Sequence, residues 1–347
     1  MRAHSLTAAQ LIQQGRNGWI VAQDVRSRQG KRLIKKGAIL DQAAFDVLSD
    51  AGDGLIHVVE PDPDDVHEDD AGLRLSRALA GPGIRVKGPA LSRYNLIADV
   101  KGVLHIDPEL IFAVNQIPGL SVFTHLDLQP VVPGKVVAGI KITPLAVPEQ
   151  DLRRAECIAH EHRDALIRVT PFEPKRVGVI ATEGLSEKLR DRFNASIDQK
   201  IGWYGSRLTD VRFVASDPVA VAAALKELLP GNDVILMAGG NTLDPLDPTL
   251  LAIGKLGGEM IHYGAPSHPG SMFWLAQIGE VPIVNLASCS MYSSVTFADL
   301  ILPLLMTGER LTEEDIDHFG YGGLLEREMR FRFPPYDEDV SNEEREE

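Results

Sequence analysis

The stretch AGGNTLDPLDPTLL, residues 238–251, sets two glycines and two carboxylates in one turn directly after the apolar run DVILM. Gly239 and Gly240 tolerate positive φ and let the backbone come close to a ligand, so consecutive N–H groups there form a concavity suited to an anion. Asn241 and Thr242 add side-chain donors, and Asp244 and Asp247 follow within the same turn. A phosphate fits such a corner. Asp247 followed by Pro248 and Thr249 also has the form of a helix start, with the acid as N-cap and proline at the first helical position.

Other residues share this chemistry. Asp217 stands thirty positions before Asp247, after an earlier strand-like run. Paired acids beside a phosphate nest suit Mg²⁺-assisted phosphoryl or adenylyl transfer, because the metal offsets repulsion between carboxylate and phosphate oxygens. Asp217 and Asp247 are therefore the expected catalytic and metal-holding pair. GAPSHPGS, residues 264–271, is a second backbone-rich anion loop carrying Pro266, Ser267, His268, Pro269, Gly270 and Ser271; a proline-stiffened connection is its plainer account. Thr182, which ends VGVIAT, and Glu183 after it complete the candidate set.

These loops need a frame that gathers them. KRVGVIAT, DVRFVA, NDVILMAG and VPIVNLAS are short, continuous, β-branched runs separated by helix-length segments such as LSEKLRDRFNASI and DPVAVAAALKELL. That rhythm predicts parallel β-α-β units with right-handed crossovers. Ligands of open parallel sheets sit outside the carboxyl ends of the strands, where these loops fall.

Upstream, residues 1–62 are expected to form a small β-rich unit, with a helix in DQAAFDVLSDAG starting on Asp41 and closing at Gly52. PDPDDVHEDD marks a boundary. Residues 63–172 are expected to be a mixed α+β region. It holds a helix in EDDAGLRLSRALAG, a hairpin turning at Lys101 and Gly102, a short helix in DPELIFAVNQIPG and a connecting helix from Pro148. Residues 173–325 are expected to form the α/β domain, and the acidic segment 331–347 a disordered tail. Cys157, His160 and His162 on the connecting helix do not suggest a metal site, since the two histidines fall on different helix faces.

The chain of 347 residues carries a formal charge of -14, with 44% hydrophobic and 24% charged residues. That length exceeds one hydrophobic core, and the acidity disfavours nucleic acid or an anionic membrane as the main partner. Cys157 and Cys289 have no metal-like or CxxC spacing, so neither disulfides nor zinc are indicated. The N-terminus lacks the apolar stretch of a secretory signal, and the longest apolar run, ADLILPLLM, is too short to span a bilayer. A cytoplasmic location is expected.

VGVIAT, ASDPVAVAAAL, GGNTLDPLDPT, GAPSHPGS and PIVNLAS follow in the order and spacing of the domain shared by molybdenum-cofactor biosynthesis proteins, which the region from 175 to 320 resembles. Segments such as KKGAIL, VNQIPGLSV and GYGGLL are also similar to a bacterial group called molybdopterin-binding proteins. The resemblance implies a three-layer α/β/α molybdopterin-binding domain with a mostly parallel sheet, preceded by smaller mixed α+β domains. It further implies molybdopterin or the molybdenum cofactor as a small anionic pterin ligand, with its phosphate or nucleotide on Gly239 to Thr242 and Ser267 to Ser271 closing the other side. Chemistry of the molybdotransferase kind would use Asp217 and Asp247 with Mg²⁺ while an adenylylated pterin is cleaved. Related molybdotransferases are elongated dimers, so a homodimer and a recipient molybdoenzyme are implied partners. A non-catalytic carrier or sensor and a Mg²⁺-dependent nucleotide pyrophosphatase are the alternatives. Departures from the family pattern favour binding over catalysis. Thr242 replaces a glycine, Asn241 a threonine, Leu246 stands where an arginine is common, and LASCSMY replaces Leu-Pro-Gly-Asn-Pro.

Overall fold

The computed structural model describes residues 1–90, 92–161, 166–240, 242–286 and 296–336. They gather into two compact units, one of residues 1–100, 105–127 and 133–169, the other of 101–104, 128–132 and everything from 170 onward. No helix among the described residues is long and apolar enough to cross a membrane.

In the first unit, strands Leu120–Thr124, Val136–Ile142, Arg93–Ala98 and Ile84–Ala90 form an antiparallel sheet in that order. The helix Glu68–Leu79 buries Ala71, Leu75 and Leu79 completely, and its three acids fall in the first turn, where the helix dipole favours them. A Cβ at Gly72 would lie 2.9 Å from the Tyr94 ring, so a larger residue would push helix from sheet. The expected helices at Gln42–Leu48, Pro108–Asn115 and Glu149–Glu161 are present, the first two capped by Asp41 and Asp107. Residues 6–58 enclose a small core around Leu11, Val21, Leu40, Leu48 and Val58, although by contacts they belong with the rest of the first unit. The hairpin expected at Lys101 and Gly102 does not form. Arg93–Ala98 pairs with Val136–Ile142, whereas Gly102–His105 pairs with Gln129–Val131 in a separate sheet.

The second unit is a three-layer domain. Its elements are β1 (Arg176–Ala181), α1 (Glu187–Trp203), β2 (Arg207–Phe213), α2 (Pro218–Leu228), β3 (Val234–Ala238), α3 (Pro248–Lys255), β4 (Glu259–Tyr263), β5 (Trp274–Ile278), β6 (Val281–Leu286) and α4 (Ala298–Met306). The sheet runs β2-β1-β3-β6-β5-β4, parallel except for β5. Alternation along the strands splits the core. Val177, Val179, Val234 and Leu236 pack toward α1 and α4, while Ile180, Ile235 and Met237 pack toward α2 and α3. Continuous apolar strands follow from this burial on both faces. Strands β4 and β5 escaped the sequence expectation because GEMIHY mixes charge with apolar residues and β5 reverses the parallel rhythm.

Between α1 and α4 lies a buried ion pair. Lys200 Nζ donates to Asp299 Oδ1 at 2.9 Å, with side chains 10% and 1% exposed. Tyr336 also donates to Asp299 Oδ1, at 2.9 Å, and the Thr296 backbone N–H donates to Oδ2 at 2.6 Å. The Tyr204 and Tyr336 hydroxyls lie 2.8 Å apart, and burial raises both phenols well above their ordinary range, so they stay protonated. This corrects the expected tail. The 3-10 turn Arg327–Arg332, buried Phe333 and Tyr336 belong to the domain, because an aromatic cluster and Asp299 hold the segment down. Residues 337–347 lie outside the described ones.

Two outcomes follow from these contacts. Lys200→Met leaves a buried carboxylate without its cation and should lower unfolding free energy by about 3 kcal/mol in urea; adding Asp299→Asn should recover part of that loss. A shift below about 1 kcal/mol would contradict the account of this pair. In the first unit, Arg74 bridges Glu149 at 2.6 Å and Glu156 at 2.8 Å. Hydrogen bonds from Arg74, then Arg153, hold the Glu149 carboxyl down to about 2 from its ordinary 4.5. A depressed carboxylate stabilises above its unfolded value and loses that contribution as pH falls through the folded one. The melting-temperature gap between wild type and Arg74→Met should therefore be widest at pH 5 and close toward pH 2.5. A gap that does not change with pH would contradict this assignment.

Candidate functional site

The carboxyl ends of β1, β3 and β6 are adjacent, with Ala181 paired to Ala238 and Ala238 to Leu286. Because β5 runs opposite, the loop joining β4 to β5, which contains residues 264–271, reaches this same rim. Topology alone brings three of the predicted loops to one edge.

At the centre is the glycine corner. Gly239 and Gly240 adopt φ of +96° and +93°. An added Cβ at Gly239 would sit 2.8 Å from Thr182 Oγ1 and 2.9 Å from Glu183 Cγ, so the corner lies directly against the loop after β1. Thr182 is buried, and its N–H donates to the Ala238 carbonyl at 2.9 Å. A Cβ at Gly240 would approach Asp247 Oδ1 to 3.2 Å, which places that acid beside the second glycine. Both glycines thus hold a backbone conformation that residues with side chains rarely adopt. Asn241 lies outside the described residues.

Thr242 ties this corner to the next loop. Its hydroxyl donates to the Met272 carbonyl at 2.6 Å, and its own carbonyl accepts from the Tyr263 hydroxyl at the end of β4. Asn285 Nδ2 donates to the Met272 carbonyl at 2.9 Å and to Thr242 Oγ1 at 3.4 Å. The threonine that departs from the family's glycine is thus 7% exposed with its hydroxyl committed to Met272.

The loop of Pro266 to Ser271 is closed on itself by Ala265 N–H donating to the Ser271 carbonyl at 3.0 Å. His268 is anchored through its backbone, donating to the Gly323 carbonyl and accepting from Leu325 N–H, each at 2.8 Å, while its side chain is exposed. Pro266 packs against Gly320, and Pro269 is exposed beside it. Gly270 has φ of +119°, and a Cβ there would overlap the Phe297 side chain. Ser267 is 6% exposed, and its hydroxyl has no hydrogen-bond partner among the described residues.

The acids divide. Asp247 is 6% exposed and caps α3, accepting from Thr249 N–H at 2.8 Å, with Thr249 itself buried. Asp217 is exposed and caps α2, accepting from Ala220 N–H at 2.9 Å and Val219 N–H at 3.2 Å. Asp244 is exposed and accepts from Leu246 N–H at 2.9 Å. Strand β1 separates β2 from β3, so the strand ends that lead to Asp217 and Asp247 stand about 10 Å apart. No group of three or more His, Cys, Asp or Glu side chains able to hold a metal occurs among the described residues. The rim brings Thr182, Glu183, Gly239, Gly240, Thr242 and Asp247 together and leaves Asp217 two strands away. Tyr263, Met272 and Asn285 were not anticipated; a polar residue inside the apolar strand VPIVNL was the available signal for Asn285.

Residues 176–307 match the family model described as "Probable molybdopterin binding domain". Over 109 residues the chain is 26% identical to the "Putative molybdopterin biosynthesis protein" of Methanocaldococcus jannaschii, covering 31% of this chain and only 27% of that protein's length. Among solved structures, the chain is similar to the molybdopterin biosynthesis MoeA protein of Pyrococcus horikosii, at 15% identity over 70% of this chain and 79% of the other, with a TM-score of 0.30. It is similar also to the molybdopterin biosynthesis Mog protein of Mycobacterium ulcerans, at 16% identity over 38% and 95% of the two chains, with a TM-score of 0.28. The similarity thus falls on residues 176–307, the stretch that matches a probable molybdopterin-binding domain.

Proposed function

We propose that this domain holds molybdopterin or the molybdenum cofactor by its phosphate and takes part in building or delivering that cofactor. The observation that carries the proposal is the glycine corner itself, two successive residues at positive φ at the carboxyl rim of a parallel sheet. Helix α3 adds its positive dipole end, since its N-cap Asp247 lies against Gly240. Ser267 supports the same reading, because a buried hydroxyl without a partner is suited to a ligand oxygen. The donors offered to a phosphate, backbone amides and the Ser267 hydroxyl, are neutral, and the Asp247 carboxylate beside Gly240 accepts from Thr249 N–H.

Thr182, Glu183 and Thr242 shape the corner and hold its backbone. Bound there, the pterin would supply the metal-binding chemistry, and the protein's part would be to orient it and restrict water. A carrier without turnover is favoured over a molybdotransferase or pyrophosphatase by one specific feature. Both Asp217 and Asp247 have carboxylate oxygens engaged by the amides of their helices. Mg²⁺ held between them has no support in this arrangement.

Mass spectrometry of small molecules retained by the purified chain should find a pterin phosphate, and titration with molybdopterin should saturate at one site. Absence of both would overturn the proposal. Asp217→Ala should cost about 1 kcal/mol of stability through loss of a helix cap and leave molybdopterin affinity within about twofold. Loss of binding in that variant, or molybdate-dependent turnover of adenylylated molybdopterin by wild type, would favour the transferase instead.

A further inference from the structure

Asn285 is the penultimate residue of β6, an otherwise apolar strand, and is 3% exposed. Register sets it beside Met237 of β3, one position before the pair Ala238 and Leu286 from which the glycine corner departs. Alternation turns it toward the face of Ile283 and Met237, which α2 and α3 cover.

Chemistry fixes the orientation of its amide. The Met272 carbonyl, 2.9 Å away, can only accept, so the Asn285 atom facing it is the Nδ2 donor. Thr242 Oγ1 gives its own proton to that same carbonyl and accepts the second Nδ2 hydrogen. Oδ1 is left as a buried acceptor with no hydrogen-bond partner among the described residues. Buried acceptors in folded proteins find donors, and leaving one without costs stability. Asparagine is also disfavoured in a buried strand on its own account. Its side chain is held in place by Thr242 and Met272, one strand position from the pair Ala238 and Leu286 at which the corner begins.

We propose that Asn285 Oδ1 accepts an N–H from the heterocycle of the ligand whose phosphate rests on Gly239 and Gly240, making Asn285 a specificity-determining residue. This rests on the phosphate reading above. The group it selects is an amino N–H on a nitrogen heterocycle joined to a phosphate. The pterin ring supplies one, and an adenine supplies another if the ligand is adenylylated. An oxo group in the same position would set acceptor against acceptor and be rejected.

Calorimetric titration of the full chain distinguishes these cases with 6-hydroxymethylpterin monophosphate against its lumazine counterpart, AMP against IMP, and inorganic phosphate as the reference for the corner. Wild type should prefer the amino member of one pair by about tenfold, and which pair shows it identifies the ring. Asn285→Leu, similar in volume, should erase the preference while phosphate affinity stays within about twofold. Should that variant melt early, Asn285→Ala provides the same comparison. Equal binding of both members of both pairs by wild type, or a preference that survives in the variants, would overturn the assignment and leave Asn285 as a bracket for Thr242 and Met272. Failure of wild type to bind inorganic phosphate or any of these phosphates would instead remove the glycine-corner reading, and this inference with it.

Discussion

The carboxyl rim is organised by one backbone constraint, the consecutive positive φ of Gly239 and Gly240 directly after a buried parallel strand. L-residues with side chains rarely adopt this conformation, and here there is also no room for one, since Thr182, Glu183 and Asp247 close on the glycines from two sides. The strand ladder sets where the corner begins. Its neighbours β1 and β6 decide what stands beside it, Thr182 on one side and Asn285 on the other. The chemistry proposed for the site depends on this order of strands more than on any single side chain.

Thr242 stands where the resembled pattern has a glycine, and its contacts are these. Thr242 donates to Met272, accepts from Asn285 and receives the Tyr263 hydroxyl on its carbonyl, so one residue links the corner to the ends of β4 and β6 and to the loop after Ser271. What a glycine would offer as freedom, this chain replaces with a fixed connection between the glycine corner and the loop before β5. The acids are drawn into the same economy of backbone groups, with Asp217 and Asp247 satisfying helix N-termini.

Much of this was legible in the sequence, for physical reasons. Apolar runs such as VILMA are long enough and β-branched enough to be strands buried on both faces, and Asp-Pro at 217–218 and 247–248 marks helix starts by proline's fixed φ. The rule that ligands meet the carboxyl ends points in the sequence to Thr182, Asp217, the glycine corner and the 264–271 loop, and the fold sets Asp217 two strands from the corner. Strands β4 and β5 were not legible, because Glu259 and His262 dilute the apolar signal and an antiparallel reversal leaves no periodic mark. The role of Tyr336 was hidden by the acids that follow it, since composition averages over a segment and one buried hydroxyl bonded to Asp299 outweighs it. Asn285 needed tertiary partners to be noticed at all; only the positions of Met272 and Thr242 reveal that its acceptor lacks a donor.

The central claim is that an anionic pterin is grasped at this rim by backbone amides. A crystal structure of the full chain with molybdopterin bound tests it most directly. The account predicts phosphate density within hydrogen-bond distance of backbone N–H groups at Gly239 and Gly240 and of Ser267 Oγ. Phosphate density elsewhere on the chain, with the corner unchanged and Ser267 still without a partner, would contradict it.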